Sequence, residues 1–134
     1  MDRVVTIGDR QLGLRATALT PRLYRFKMGR DIIRDMANLR KAFAKAVAAQ
    51  QIPEDATDEE RELAEQDAQL SVLDLTIFEN IAYIMARQYD PTIPATPEEW
   101  LDSMDQMFTI YELLPDILAL WDQNQVTTSV PKKK

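Results

Sequence analysis

The chain has 134 residues, no cysteine, no histidine and a formal net charge of −6. A single domain of this size can bury an ordinary core, while disulfides, thiolate chemistry, Cys-ligated metals and the side chain most used for proton transfer near neutral pH are excluded. The charge is segregated: residues 1–50 hold 11 Lys/Arg against 4 Asp/Glu, and residues 51–128 hold 2 against 18.

Arg3-Val4-Val5-Thr6-Ile7 is rich in β-branched residues, and after Gly8-Asp9 the leucines Leu12 and Leu14 alternate with Gly13 and Arg15. The pattern predicts a β-hairpin over about 3–16. Two strands alone are marginal in water, so the hairpin must dock on helices or pair with another chain. The second outcome would leave a strand edge for self-assembly. Thr20-Pro21 then predicts a helix start, with a capping hydroxyl and a proline at the first helical position. Tyr24, Met28, Ile32, Met36, Leu39, Phe43 and Val47 recur every three or four residues. That spacing predicts one apolar stripe on a continuous helix to about Ala49. Gly29 inside it costs about 1 kcal/mol relative to alanine and marks either a close backbone approach or a bend.

Pro53–Asp58 is an acidic loop, and Thr57-Asp58-Glu59-Glu60 fits a capping box. The helix it opens is expected to run to about Gln88. Its first half is polar, and from Leu70 to Ala86 it is apolar nearly all round, as in the central helix of a bundle. Asp74, Glu79 and Asn80 interrupt that run; the two carboxylates diverge by about 140° around a helix, which argues against a catalytic pair. Thr96-Pro97-Glu98-Glu99 is a second capping box. Trp100, Leu101, Met104, Met107, Phe108 and Tyr111 follow at helical spacing. Pro115 either starts a new helix or kinks one that reaches Asn124. Residues 126–134, ending in three lysines, are expected to form a disordered basic tail. The predicted fold is mainly α: one small helical bundle over 1–125 with a short N-terminal hairpin.

Ser71, Ser103 and Ser129 are the only serines, and none lies in a G-x-S-x-G turn; the three glycines build no phosphate loop. No apolar run approaches the ~20 residues of a membrane span, and the first residues lack a signal-peptide profile. The composition therefore argues against an enzyme, a cofactor, a metal site and a membrane partner. Nucleic-acid binding is disfavoured too, because the acidic remainder repels phosphate and the basic residues are not interleaved with exposed aromatics. Protein binding remains. Its candidate contacts are the basic set Arg22, Arg25, Arg30 and Arg34 and the C-terminal set Trp100, Met104, Met107, Phe108 and Tyr111. Met28, Met36, Met85, Met104 and Met107 lie in or beside the stripes, where methionine fills core or suits an adaptable surface. The opposed charges of the two halves allow head-to-tail pairing with a second copy, or reflect packed helices with differently charged outer faces.

Three stretches also carry a resemblance: T-P-R-L-Y-R-F-K-M-G-R-D-I-I (20–33), I-A-Y-I-M-A-R followed by a proline-containing loop and T-P-E-E-W-L-D (81–102), and L-A-L-W-D-Q-N (118–124) with its T-T-S-x-P-K-K-K end. In this order they resemble the tail assembly chaperones of long-tailed phages and prophages of Gram-positive hosts, with Met28 where that family usually has Phe. The resemblance implies a protein of the infected or lysogenic host's cytoplasm, absent from the finished virion. It would keep the tape-measure protein soluble until tail tube subunits polymerise around it. In many relatives it also implies a minority longer product made by ribosomal frameshifting, and adenine-rich codons for the closing lysines can form the slippery sequence this needs; self-association is expected from the segregated charge and the hairpin edge. The same helical pattern would serve a tail-completion or connector subunit, or a small adaptor unrelated to phage.

Overall fold

The computed structural model describes the backbone of residues 1–50, 53–67, 70–104 and 107–129 and, apart from 50, 65–67 and 124–129, their side chains. As the patterning predicts, the fold is mainly helical with an N-terminal hairpin. Its elements are β1 (Asp2–Ile7), β2 (Arg10–Arg15), α1 (Thr20–Met28), α2 (Ile32–Gln50), α3 (Asp58–Asp67), α4 (Val72–Tyr89), α5 (Pro97–Asp102) and α6 (Ile110–Ser129).

β1 and β2 pair antiparallel from Asp2↔Arg15 to Ile7↔Arg10. Gly8 alone in the two-residue turn has positive φ, 64°, the pattern of a type II′ turn. The hairpin docks on the helices, as one of its two expected outcomes required: β2 runs along α4 and β1 along α6. Val5, Ile7 and Leu14 are buried, and Arg3 Nε donates to Asp116 Oδ1 at 2.8 Å. On the opposite face the Tyr89 ring covers Gly13 so closely that a Cβ there would lie 2.1 Å from a ring carbon. The Arg15 guanidinium sits 5.6 Å from the centroid of the same ring.

The continuous helix expected from Thr20 to Ala49 is two helices. Gly29 ends α1 in the left-handed conformation, φ 68°, with its N–H on the Arg25 carbonyl. Nothing approaches its missing Cβ within 4 Å, so the glycine marks a bend and not a close contact. Asp31 opens α2: its carboxylate accepts the Ile33 N–H at 3.0 Å and its carbonyl accepts the Asp35 N–H at 3.0 Å. The stripe itself is real, since Tyr24, Ile32, Met36 and Leu39 are all buried. Thr20 is not the cap. Leu19 holds that position without a side-chain bond, and the buried Thr20 hydroxyl accepts the Thr17 N–H and donates to Gln88 Oε1 at 2.6 Å.

The second long helix also divides. Thr57 and Glu60 form the expected capping box, but Ser71 is extended and caps α4 through a further box with Asp74. Burial is continuous from Ile81 to Ala86 and includes Ile77 and Phe78, whereas Val72, Leu73 and Leu75 are exposed. The helix is thus a core helix only in its later turns. Thr96 caps the short α5 through the Glu99 N–H at 3.1 Å. α6 begins before Pro115 and continues past Asn124 to Ser129; the ring nitrogen of Pro115 leaves the Tyr111 carbonyl without its helical donor. Residues 130–134, which hold the rest of the expected basic tail, lie outside the described residues. An aromatic cluster ties α4, α5 and the segment before α6: ring centroids are 5.7 Å apart for Tyr83 and Trp100, 6.4 Å for Trp100 and Phe108, and 6.2 Å for Phe78 and Phe108. α2 meets α6 through Phe43 and Tyr111, 5.7 Å apart, and through an Arg40–Asp122 ion pair.

The two glycines make opposite predictions about rescue. Gly13→Ala should destabilise by about 1–3 kcal/mol in urea unfolding through overpacking, and truncating Tyr89 to Ala in the same chain should recover part of that loss. Gly29→Ala should cost about 1–2 kcal/mol through its backbone conformation alone, with no truncation able to recover it.

Candidate protein-binding groove

The corner between α1 and α2 is built around a buried acid. Asp35 is 2% exposed. Its Oδ2 accepts the Tyr24 hydroxyl at 2.7 Å and Arg30 Nε at 2.7 Å, and its Oδ1 accepts Arg30 Nη2 at 2.9 Å. Burial alone would raise the carboxyl's pKa. The hydrogen bonds from Arg30 and Tyr24, with the charges of Arg30 and Arg34, outweigh that and hold it below the ordinary carboxylate value. Burial and the bond to Asp35 push the Tyr24 phenol in the other direction, well above its usual value. The run G-R-D therefore has a local structural meaning: Gly29 ends one helix, Asp31 starts the next, and Arg30 reaches back to Asp35.

The corner leaves α1 lying against α4. One further set of bonds holds that contact, and another ties α4 to the loop that follows it. At the start of the contact, Gln88 Nε2 donates to the Thr17 hydroxyl at 2.6 Å while Gln88 Oε1 accepts from Thr20. Deeper in, the Tyr83 hydroxyl donates to the Pro94 carbonyl at 2.7 Å, and Arg87 Nη1 donates to both the Tyr83 oxygen, at 3.0 Å, and that carbonyl, at 3.2 Å. Between the two helices lies a groove of about 400 Å³ lined by Leu23, Phe26, Lys27, Tyr83, Ile84, Arg87, Gln88 and Pro91. Lys27 Nζ stands 5.9 Å from the Tyr83 ring centroid. Phe26 is 90% exposed at the groove. The expectation that no exposed aromatic sits among the basic residues fails here.

The predicted contact residues fare unequally. Arg22, Arg25 and Arg34 are exposed. Arg30 is committed to Asp35 and is a structural residue of the corner. Trp100, 2% exposed, belongs to the core, and Met104 and Phe108 pack against it half-buried. Met107 is exposed, and Tyr111 keeps 40% exposure beside Phe43. The C-terminal set does not share one helical face, because α5 ends at Asp102 and α6 starts at Ile110. Of the methionines, Met36 and Met85 are buried, and Met28 and Met104 pack on the core. Asp74 is spent on a cap, and Glu79 is a half-buried acid whose pKa is raised by burial.

Phe26, Lys27, Ile84, Arg87 and Pro91 were not anticipated as groove residues. Leu19, Leu23 and Phe26 do form a second apolar row at spacings of four and three, which the stronger Tyr24–Met28 stripe concealed. Among the described residues no cluster of His, Cys, Asp or Glu is placed to hold a metal ion, and no helix is long and apolar enough to cross a membrane. No protein-family model matches the chain, and neither curated proteins nor solved structures match it.

The acid-limb stability of the protein should depend on Asp35. A carboxyl with a lowered folded-state pKa contributes stability that is complete above its unfolded value, about 3.9, and is lost as pH falls through the folded value. Asp35→Asn should cost about 1–3 kcal/mol at pH 7 and flatten the decline below about pH 4. Urea titrations of both proteins between neutral pH and pH 3 provide the comparison.

Proposed function

We propose that this chain is a non-enzymatic tail assembly chaperone, one that holds apolar helices of a tape-measure protein in the host cytoplasm until the tail tube forms around them. The observation that carries the reading is Phe26, a large aromatic left 90% exposed beside an open apolar groove between two helices. An amphipathic helix laid into such a groove is a standard mode of peptide recognition, with anchors at i, i+3, i+4 and i+7. The ordered resemblance of residues 20–33, 81–102 and 118–124 to the chaperone family supplies the identity of the client. Leu63, Val72 and Leu73 are further exposed apolar side chains; the proposal includes self-association and a contact with tail tube protein, for which they are candidates.

Co-expression with the very long helical protein encoded beside it tests the reading. Wild-type chain should bring the client into the soluble fraction and co-purify with it. Phe26→Asp should lose most of that effect while its unfolding midpoint stays near wild type, since exposed positions change stability by about 0.5 kcal/mol or less. Lys27→Glu is the matching charge variant, since Lys27 lines the groove; Arg30→Glu is not, because it breaks the Asp35 corner. A client that stays insoluble beside wild-type chain, or a Phe26→Asp protein as effective as wild type, would refute the proposal.

A further inference from the structure

The ion pairs among the described residues join Arg3 to Asp116, Arg15 to Asp2, Arg30 to Asp35 and Arg40 to Asp122. None of them involves the groove. Lys27 and Arg87 line it, and Arg22 and Arg25 stand exposed on the same α1 that carries Phe26, all four without a carboxylate partner among the described residues. Arg87 is steadied by two neutral acceptors, the Tyr83 hydroxyl and the Pro94 carbonyl, so its position is held while its charge stays uncompensated. The carboxylate next in sequence to the groove, Asp90, is turned to the Thr92 N–H and hydroxyl at 3.0 and 2.6 Å. In a chain with 22 acidic residues and a net charge of −6, an apolar groove lined by two such cations, Lys27 and Arg87, is a local reversal of the molecule's field.

From this we infer that the α1–α4 groove is specific for an apolar helical segment flanked by carboxylates. The inference rests on the helix-binding reading above and adds the chemistry of the bound segment. The apolar stripe of the partner covers Leu23 and Phe26, and its flanking Asp or Glu side chains meet Lys27 and Arg87. Electrostatic complementarity of this kind selects among partners and sets register more than it adds raw affinity. The net charge alone makes the opposite prediction, because a negative protein attracts lysine-rich helices. Phosphate backbones share the carboxylate's sign, but they offer no apolar stripe for Phe26 and face the repulsion of the acidic half.

The experiment is a fluorescence anisotropy titration of the full chain with three labelled probes. Two are peptides of about 18 residues, five helical turns, with one Leu/Phe stripe flanked by Glu in one and by Lys in the other; the third is a single-stranded DNA oligonucleotide. The Glu-flanked peptide should bind at least about tenfold more tightly than the Lys-flanked one. Phe26→Ala should weaken both peptides alike. Lys27→Gln should reduce the preference and Lys27→Glu should erase or invert it, both leaving the unfolding midpoint near wild type. Equal or tighter binding of the Lys-flanked peptide, a preference for the oligonucleotide, or a preference untouched by the charge variants would overturn the inference. The co-expression assay separates the two claims. A client solubilised without any Glu preference sinks the inference alone, and a Glu preference without solubilisation sinks the chaperone reading alone.

Discussion

A carboxylate inside a small helical protein is destabilising unless its charge and lone pairs are matched, and Asp35 is matched three times over. Arg30 grips both oxygens and Tyr24 adds a third donor. Because Tyr24 is on α1, Asp35 on α2 and Arg30 in the link between them, the network fixes how one helix leaves the other. The left-handed Gly29 and the capping Asp31 make the turn possible, and the Asp35 bonds make it one particular turn. The placement of α1 against α4 follows from that corner.

The groove is the consequence. α1 turns Tyr24 inward and leaves Leu23, Phe26 and Lys27 on the side that faces α4 across an opening. Gln88 and Tyr83 then hold the opposite wall through bonds to Thr17, Thr20 and Pro94. The hairpin supports the same helix from another side: β2 lies on α4, and the Tyr89 ring closes over Gly13. A helix braced in this way holds Arg87 in place at the groove, and a preformed surface lowers the entropy cost of the proposed binding. Apolar floor and cationic border are the features on which the proposed helix binding and its charge preference rest.

Much of this could be read before any fold was known. The Gly8-Asp9 turn between alternating runs marked the hairpin, and T-D-E-E and T-P-E-E marked two helix starts, because caps and tight turns are local chemistry. The helix interiors were harder. The stripe from Tyr24 to Val47 keeps helical phase across a break, since the short Gly29-Arg30-Asp31 link preserves the spacing closely enough to hide it. Ser71 and Asp74 carry a capping signal of the same kind as Thr57 and Glu60, yet the polar-to-apolar change around them looked like two halves of one helix. The C-terminal stripe erred in the reverse direction: its spacing is helical, but α5 ends after six residues and sends Trp100 into the core and Met107 into solvent.

Local sequence by itself determined the element types, most of the caps, the apolar stripes and the segregation of charge, because each depends on residues within a few positions of one another. Tertiary structure alone decided which cations are spent and which are available. Arg30 and Arg25 look alike in sequence, and only the approach of Asp35 ties up the first. It also decided that Phe26 stays exposed and that Arg87 and Pro91, some sixty residues away, come to stand beside it. Burial and ion pairing are properties of neighbours in space, and the chain's order does not specify those neighbours until the α1–α2 corner has folded.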